Sequence, residues 1–84
     1  MIPIHDLLSR IRWDQEFSRA DFAIGYYDRL LDRIVLVPFS ELIFPADDRN
    51  SIQVMAEDGV VHSVPLHRIK EVYRNHELIW LRRH

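Results

Sequence analysis

Val37-Pro38-Phe39-Ser40-Glu41-Leu42 and Val64-Pro65-Leu66-His67-Arg68-Ile69 are two copies of one pattern: a strand end, a Val-Pro pair, an apolar residue, two polar residues and a second apolar residue. Proline has no N–H to give to a ladder, so a strand should stop at Pro38 and again at Pro65. A tight helical turn should follow in each copy before the next extended segment. The repeat therefore marks two corners built on one backbone device. The copies differ at their centres, where the first has Ser40-Glu41 and the second has His67-Arg68. Scaffold geometry accounts for the shared apolar positions but does not require histidine and arginine in one copy alone. That pair is either a solvated turn or part of a site.

The rest of the chain arranges itself around these corners. Phe22 to Arg29 and Arg33 to Val37 read as strands joined through Leu30, Leu31 and Asp32. Asp58-Gly59 separates Ser51 to Glu57 from Val60 to Val64, and Asp-Gly readily supplies the positive φ angles of a two-residue hairpin turn. That loop length sets Glu57 opposite Val60, Ala56 opposite Val61, Met55 opposite His62 and Val54 opposite Ser63. Ile52, Val54, Ala56 and Val61 would then share the core face. Lys70 to Arg74 and Glu77 to Arg82 are the last strands, with a tight turn at Asn75-His76. Pro45 to Asn50 is polar, proline-bounded loop.

At the N-terminal end, Ile4, Leu7, Leu8 and Ile11 form the stripe of a short amphipathic helix over Pro3 to Arg12. Pro3 suits the first turn, and Asp6, Arg10 and Arg12 complement the helix dipole. A helix this short is marginal alone and must dock on a sheet. The expected architecture is α+β: one N-terminal helix on five or six antiparallel strands, twisted strongly enough to curl towards a barrel.

The 84 residues, 48% apolar and 29% charged, fit a single folded domain over 1–84. Cysteine is absent, which removes disulfides, thiolate metal sites and cysteine nucleophiles. Apolar runs such as Arg33 to Phe39 are too short to cross a bilayer, and the expectation is a cytoplasmic protein without a membrane partner. With a net charge of −2, long-range steering of polyanions is excluded, so any nucleic-acid contact must be local. The charges are segregated. Glu41, Asp47, Asp48, Glu57 and Asp58 outnumber Arg49, whereas Arg68, Lys70, Arg74, Arg82 and Arg83 outnumber Glu71 and Glu77 towards the C-terminal end. Of the 11 basic residues only Lys70 is lysine. Guanidinium suits bidentate recognition of phosphate oxygens, although arginine excess also follows from base composition or thermal adaptation.

Two arrangements of these cations are open. Arg68, Arg82 and Arg29 can converge with His67 on an anion, or each can pair with a carboxylate such as Asp14, Asp28 or Glu71 and only decorate the surface. Tyr26, Tyr27, Tyr73, Trp13 and Trp80 are candidate stacking platforms. Core packing is the better default for Trp13 and Trp80, while Tyr26 and Tyr27 must point to opposite sheet faces. The spacing of His62, His67, His76 and His84 fits no familiar metal pattern. No nucleophile elbow and no phosphate-cradling glycine loop is present, so catalysis is the weaker reading and no cofactor is implied.

Ile2-Pro3-Ile4-His5-Asp6-Leu7-Leu8, Arg12-Trp13-Asp14, Ile24-Gly25-Tyr26-Tyr27-Asp28-Arg29, Val64-Pro65-Leu66-His67-Arg68-Ile69 and Trp80-Leu81-Arg82 together resemble the RNA cyclic-group end-recognition domain family of small archaeal domains. The likeness covers nearly the whole chain, and Pro-Leu-His-Arg-Ile followed by Trp-x-Arg is its most specific part. Similar domains are fused to RNA-end-processing or nucleotide-transferring units. The resemblance therefore implies RNA as the partner, through a terminal or 2′,3′-cyclic phosphate, with an RNA-processing protein nearby. It implies Arg10, Tyr26, Arg29, His67, Arg68 and Arg82 as RNA- or phosphate-binding residues and Trp13 and Asp14 as their support. Asn75-His76 and Ala20 depart from the family pattern, where turns often carry glycine. A protein-interaction adaptor using an exposed strand or the Asp47-Asp48 loop and a weak cyclic phosphoesterase using His67 are the alternatives.

Overall fold

The computed structural model describes residues 2–55 and 58–83. Its single α-helix, α1 (Ile4–Trp13), buries Ile4, Leu7, Leu8 and Ile11, as the apolar stripe requires. Asp14 ends it: its N–H donates to the Arg10 carbonyl, and its carboxylate then accepts from the N–H groups of Glu16 and Phe17. The chain is turned into a short 3₁₀ segment, Phe17–Arg19, before the sheet begins.

Six strands follow: β1 (Phe22–Asp28), β2 (Arg33–Pro38), β3 (Ser51–Met55), β4 (Val61–Pro65), β5 (Ile69–Arg74) and β6 (Glu77–Leu81). All pairings are antiparallel. The strands form not one sheet but two, a four-stranded β2-β1-β5-β6 and a two-stranded β3-β4, and they do not close a barrel. The Ile43–Gln53 bridge extends the smaller sheet. Both Val-Pro corners have the expected form. Strands β2 and β4 end at Pro38 and Pro65, and one 3₁₀ turn follows each, Phe39–Glu41 and Leu66–Arg68.

The β3-β4 register differs by one residue from the two-residue-loop expectation. Met55 faces Val61, Val54 faces His62 and Ile52 faces Val64. The Asp58 carboxylate accepts the Val60 N–H at 2.9 Å and Gly59 sits at φ +82°, so Val60 belongs to the turn and the loop is longer than Asp58-Gly59. A one-residue slip exchanges the faces of a strand. Val64 is accordingly buried opposite Ile52, while Val61, expected in the core, is 44% exposed. The pairings expected for Ala56 and Glu57 lie outside the described residues.

One apolar cluster unites α1, Phe22 and Ile24 of β1, Val37, Leu42, Ile52, Val54, Val64, Leu66, Ile69, Val72 and Trp80. No polar or charged side chain among the described residues is buried with it. The face of the larger sheet turned away from this cluster is open and partly apolar. There the Gly25 backbone is approached so closely by Glu71, Ile34 and Leu36 that a methyl group would lie 2.7–3.2 Å from them.

The Asn75-His76 turn joins β5 to β6 with both residues in the left-handed region, at φ 50° and 69°. Asn75 suits it, since its side-chain oxygen accepts the Asp21 N–H at 2.9 Å and its N–H donates to the Asp21 carbonyl at 2.7 Å. For His76 the same conformation is uncompensated. His76→Gly is expected to stabilise the domain by about 0.5–1 kcal/mol, read as a melting point raised by about 2–8 °C in a thermal scan.

Candidate anion site at one end of the sheet

Strand direction decides which cations meet. The end of β1 and the start of β2 lie together, with Asp28 opposite Arg33. The start of β5 lies beside them, with Ile69 opposite Tyr26. The chain after β6 completes the row, since the Arg82 N–H donates to the Lys70 carbonyl at 2.8 Å. Arg29, Arg33, Arg68, Lys70, Arg82 and Arg83 are thereby delivered to one end of the sheet, across four strands and about 15 Å.

The second corner turn is the centre of this row. The His67 carbonyl accepts from Arg82 Nη1 at 3.2 Å and from Lys70 Nζ at 3.3 Å, which draws both cations over the turn that carries His67 and Arg68. Arg82 also lies 5.2 Å from the buried Trp80 ring, so its guanidinium has a flat support. Trp80 is itself anchored by an indole N–H donated to the Ile2 carbonyl at 2.9 Å. His67 is exposed, whereas Arg68 and Arg82 are half-buried. A guanidinium has five N–H donors, and Arg82 commits one of them to His67.

The carboxylates nearest this end are otherwise occupied. Asp28 accepts the N–H groups of Leu30 and Leu31, which closes the hairpin and ends β1 one residue before Arg29. Arg29 therefore stands in the turn and not, as expected, in the strand. Asp32 accepts the Tyr27 hydroxyl, and Glu71 accepts that of Tyr73 on the open face. These two bonds hold both phenols above their ordinary range. Among the described residues the one ion pair is Arg10–Asp14, at 3.7 Å. The arrangement in which each arginine of the sheet end is tied to its own carboxylate does not occur there.

Tyr26 and Tyr27 do point to opposite faces. Tyr26 is half-buried against the core beside Val35 and Ile69, and burial, reinforced by Asp28, pushes its phenol up.

Three of the expected site residues lie elsewhere. Arg10 is paired with Asp14 and stacked on Phe17, whose ring also receives Arg74, at the opposite end of the sheet. Asp14 shapes the turn after α1. Trp13, expected in the core, is 70% exposed, because it stands two residues past Ile11 and so falls off the buried stripe. Sequence reasoning overlooked Arg33 at this end, a position that follows from the β1-β2 hairpin, and gave Lys70 no role at the site.

This is a small helix-on-sheet domain with a row of cations at one sheet end, none of them in an ion pair among the described residues. The chain belongs to the MJ1316 RNA cyclic group end recognition domain family, whose model matches residues 1–82. Its relatives include the UPF0248 proteins LS215_2790 and YG5714_2801 of two Saccharolobus islandicus strains, each 34% identical over 82 residues that cover 94% of this chain and 98% of the relative. No solved structure matches the chain.

Proposed function

We propose that this domain captures processed RNA ends bearing a terminal or 2′,3′-cyclic phosphate. The observation that carries the reading is the gathering of Arg82 and Lys70 on the His67 carbonyl, in the turn that also carries Arg68, with no carboxylate of the described residues within ion-pair distance. The family's description as an end-recognition domain supports it. In this reading the terminal phosphate sits over the second corner turn. Arg68 and Arg82 supply charge-assisted hydrogen bonds, His67 a further donor, and Tyr26 its phenol. Arg29, on the neighbouring hairpin, would contact the adjoining phosphate. Arg10, held at the far end, is left out of the capture group.

A single-end footprint suits a chain with net charge −2, because it needs few phosphate contacts. Fluorescence anisotropy with two oligonucleotides of one sequence tests it. The strand ending in cyclic phosphate should bind about tenfold or more tighter than the strand ending in hydroxyl, as expected for one or two charge-assisted hydrogen bonds. The affinity should fall with salt at a log–log slope of about −2, for about three neutralised phosphates. Equal affinities for the two ends would remove the end-recognition claim.

The open face of the larger sheet, with Leu36, Leu78 and Leu81 each more than a third exposed, favours a second reading as an adaptor for an RNA-processing partner. Capture of such a partner with undiminished strength by Arg68→Ala would select it.

A further inference from the structure

Trp13 is the most exposed large aromatic of the described residues, and it is not alone. The Arg12 guanidinium lies 4.9 Å from its ring centroid and 4.2 Å from that of Phe44, so three flat groups from α1 and the loop before β3 converge. They form one wall of a cleft of about 400 Å³, large enough for a nucleotide, to which His5, Ser9 and Arg49 also contribute. The carboxylates on its rim are Asp6 and Asp48. Asp48 is committed to the Asn50 N–H and the Ser51 hydroxyl, both at 2.8 Å, and these bonds hold it below its ordinary range. Neither Arg12 nor Arg49 has an ion-pair partner among the described residues.

The cleft is joined to the sheet-end site by a single turn. Leu66 lines it, and Leu66 is the first residue of the 3₁₀ turn that continues into His67 and Arg68. Held by its N–H to the Asn50 carbonyl at 2.9 Å, this turn has one flank on the cleft and the other on the Arg82–Lys70 pair.

We infer that this cleft is a stacking site for the single-stranded RNA next to the captured end, with Trp13 as the base platform and Arg12 and Arg49 as phosphate contacts. The inference rests on the end-capture reading for the direction of the strand. Its chemistry stands separately, since an exposed aromatic beside unpaired guanidinium groups accepts any base through its π-face. The site would therefore be tolerant of sequence and would lengthen the footprint from one nucleotide to two or three.

The chain has two tryptophans, and Trp80, only 5% exposed, lies beside Arg82, so the part of the quenching that is lost in Trp13→Ala reports on Trp13. The probes are uridine 2′,3′-cyclic phosphate, a short oligouridylate ending in the same group and its hydroxyl-ended counterpart. The oligouridylate should quench Trp13 and bind about tenfold tighter than the mononucleotide. Trp13→Ala should abolish both the quenching and the gain, Trp13→Phe should keep most of the gain, and mononucleotide binding should be the same in all three proteins. An oligouridylate that leaves emission unchanged and binds Trp13→Ala as tightly as the parent chain would overturn the inference, even if the mononucleotide still binds through Arg68. Equal quenching and equal affinity for the hydroxyl-ended strand would uphold the stacking site while removing end capture.

Discussion

Arg68→Ala is expected to erase the preference for a phosphate-bearing end, weakening binding of a cyclic-phosphate oligonucleotide by about 10- to 150-fold while hydroxyl-ended RNA loses little. The size follows from removing a charge-assisted, bidentate donor that is half-buried and has no ion-pair partner among the described residues. Its stem starts from a turn anchored on both sides, so no large rearrangement can bring a substitute. Arg68→Lys should recover only part of the loss, because an ammonium keeps the charge but not the planar fork. Arg10→Ala is the matched control. It removes an equal charge from the pair with Asp14 at the opposite end and should change end preference by less than about twofold. Anisotropy titrations with both strand ends measure all three, and an Arg68→Ala protein with intact discrimination would refute the assignment.

The largest effect on stability is expected at Trp80. Its ring is 5% exposed within the apolar cluster, and truncation to alanine should cost about 3–5 kcal/mol, seen as a lowered urea midpoint. Small domains hold only about 5–15 kcal/mol in total, so Trp80→Ala should be close to unfolding at room temperature. Trp80→Phe keeps most of the buried surface and loses the bond to the Ile2 carbonyl, for which about 1 kcal/mol is expected. The same residue supports the Arg82 guanidinium. Trp80→Phe should therefore also loosen phosphate capture modestly, although Trp80 itself touches no ligand in the proposed arrangement.

What could be read from the sequence was whatever short-range rules control. The helix stripe, the six extended segments and both Val-Pro corners follow from periodicity and from the missing proline N–H. The β3-β4 register was not legible, because Asp58-Gly59 serves a two-residue and a longer loop equally well. The choice depends on the Asp58 carboxylate capturing the Val60 N–H. The split into two sheets was equally hidden, since each strand satisfies the same alternation whichever sheet it joins. The site was half legible. The contrast between Ser40-Glu41 and His67-Arg68 singled out the turn on which Arg82 and Lys70 meet, but the grouping of cations depends on strand order. Arg33, distant in sequence from Arg82, joins the row through β1 and β5, while Arg74, only eight residues from Arg82, is carried to the other end. The exposure of Trp13 could have been read from the helical angle between it and Ile11; size alone suggested burial.

The net charge of −2 over the whole chain conceals a local excess of the opposite sign. Asp28, Asp32 and Glu71 keep their charges while they accept N–H and hydroxyl donors, yet at this end of the sheet they are outnumbered by Arg29, Arg33, Arg68, Lys70 and Arg82. In the proposed function an arriving polyanion would relieve the remaining repulsion, so the excess of like charge would favour capture. A substitution that soothed the crowding with a local acid would make a sturdier domain and a poorer receptor.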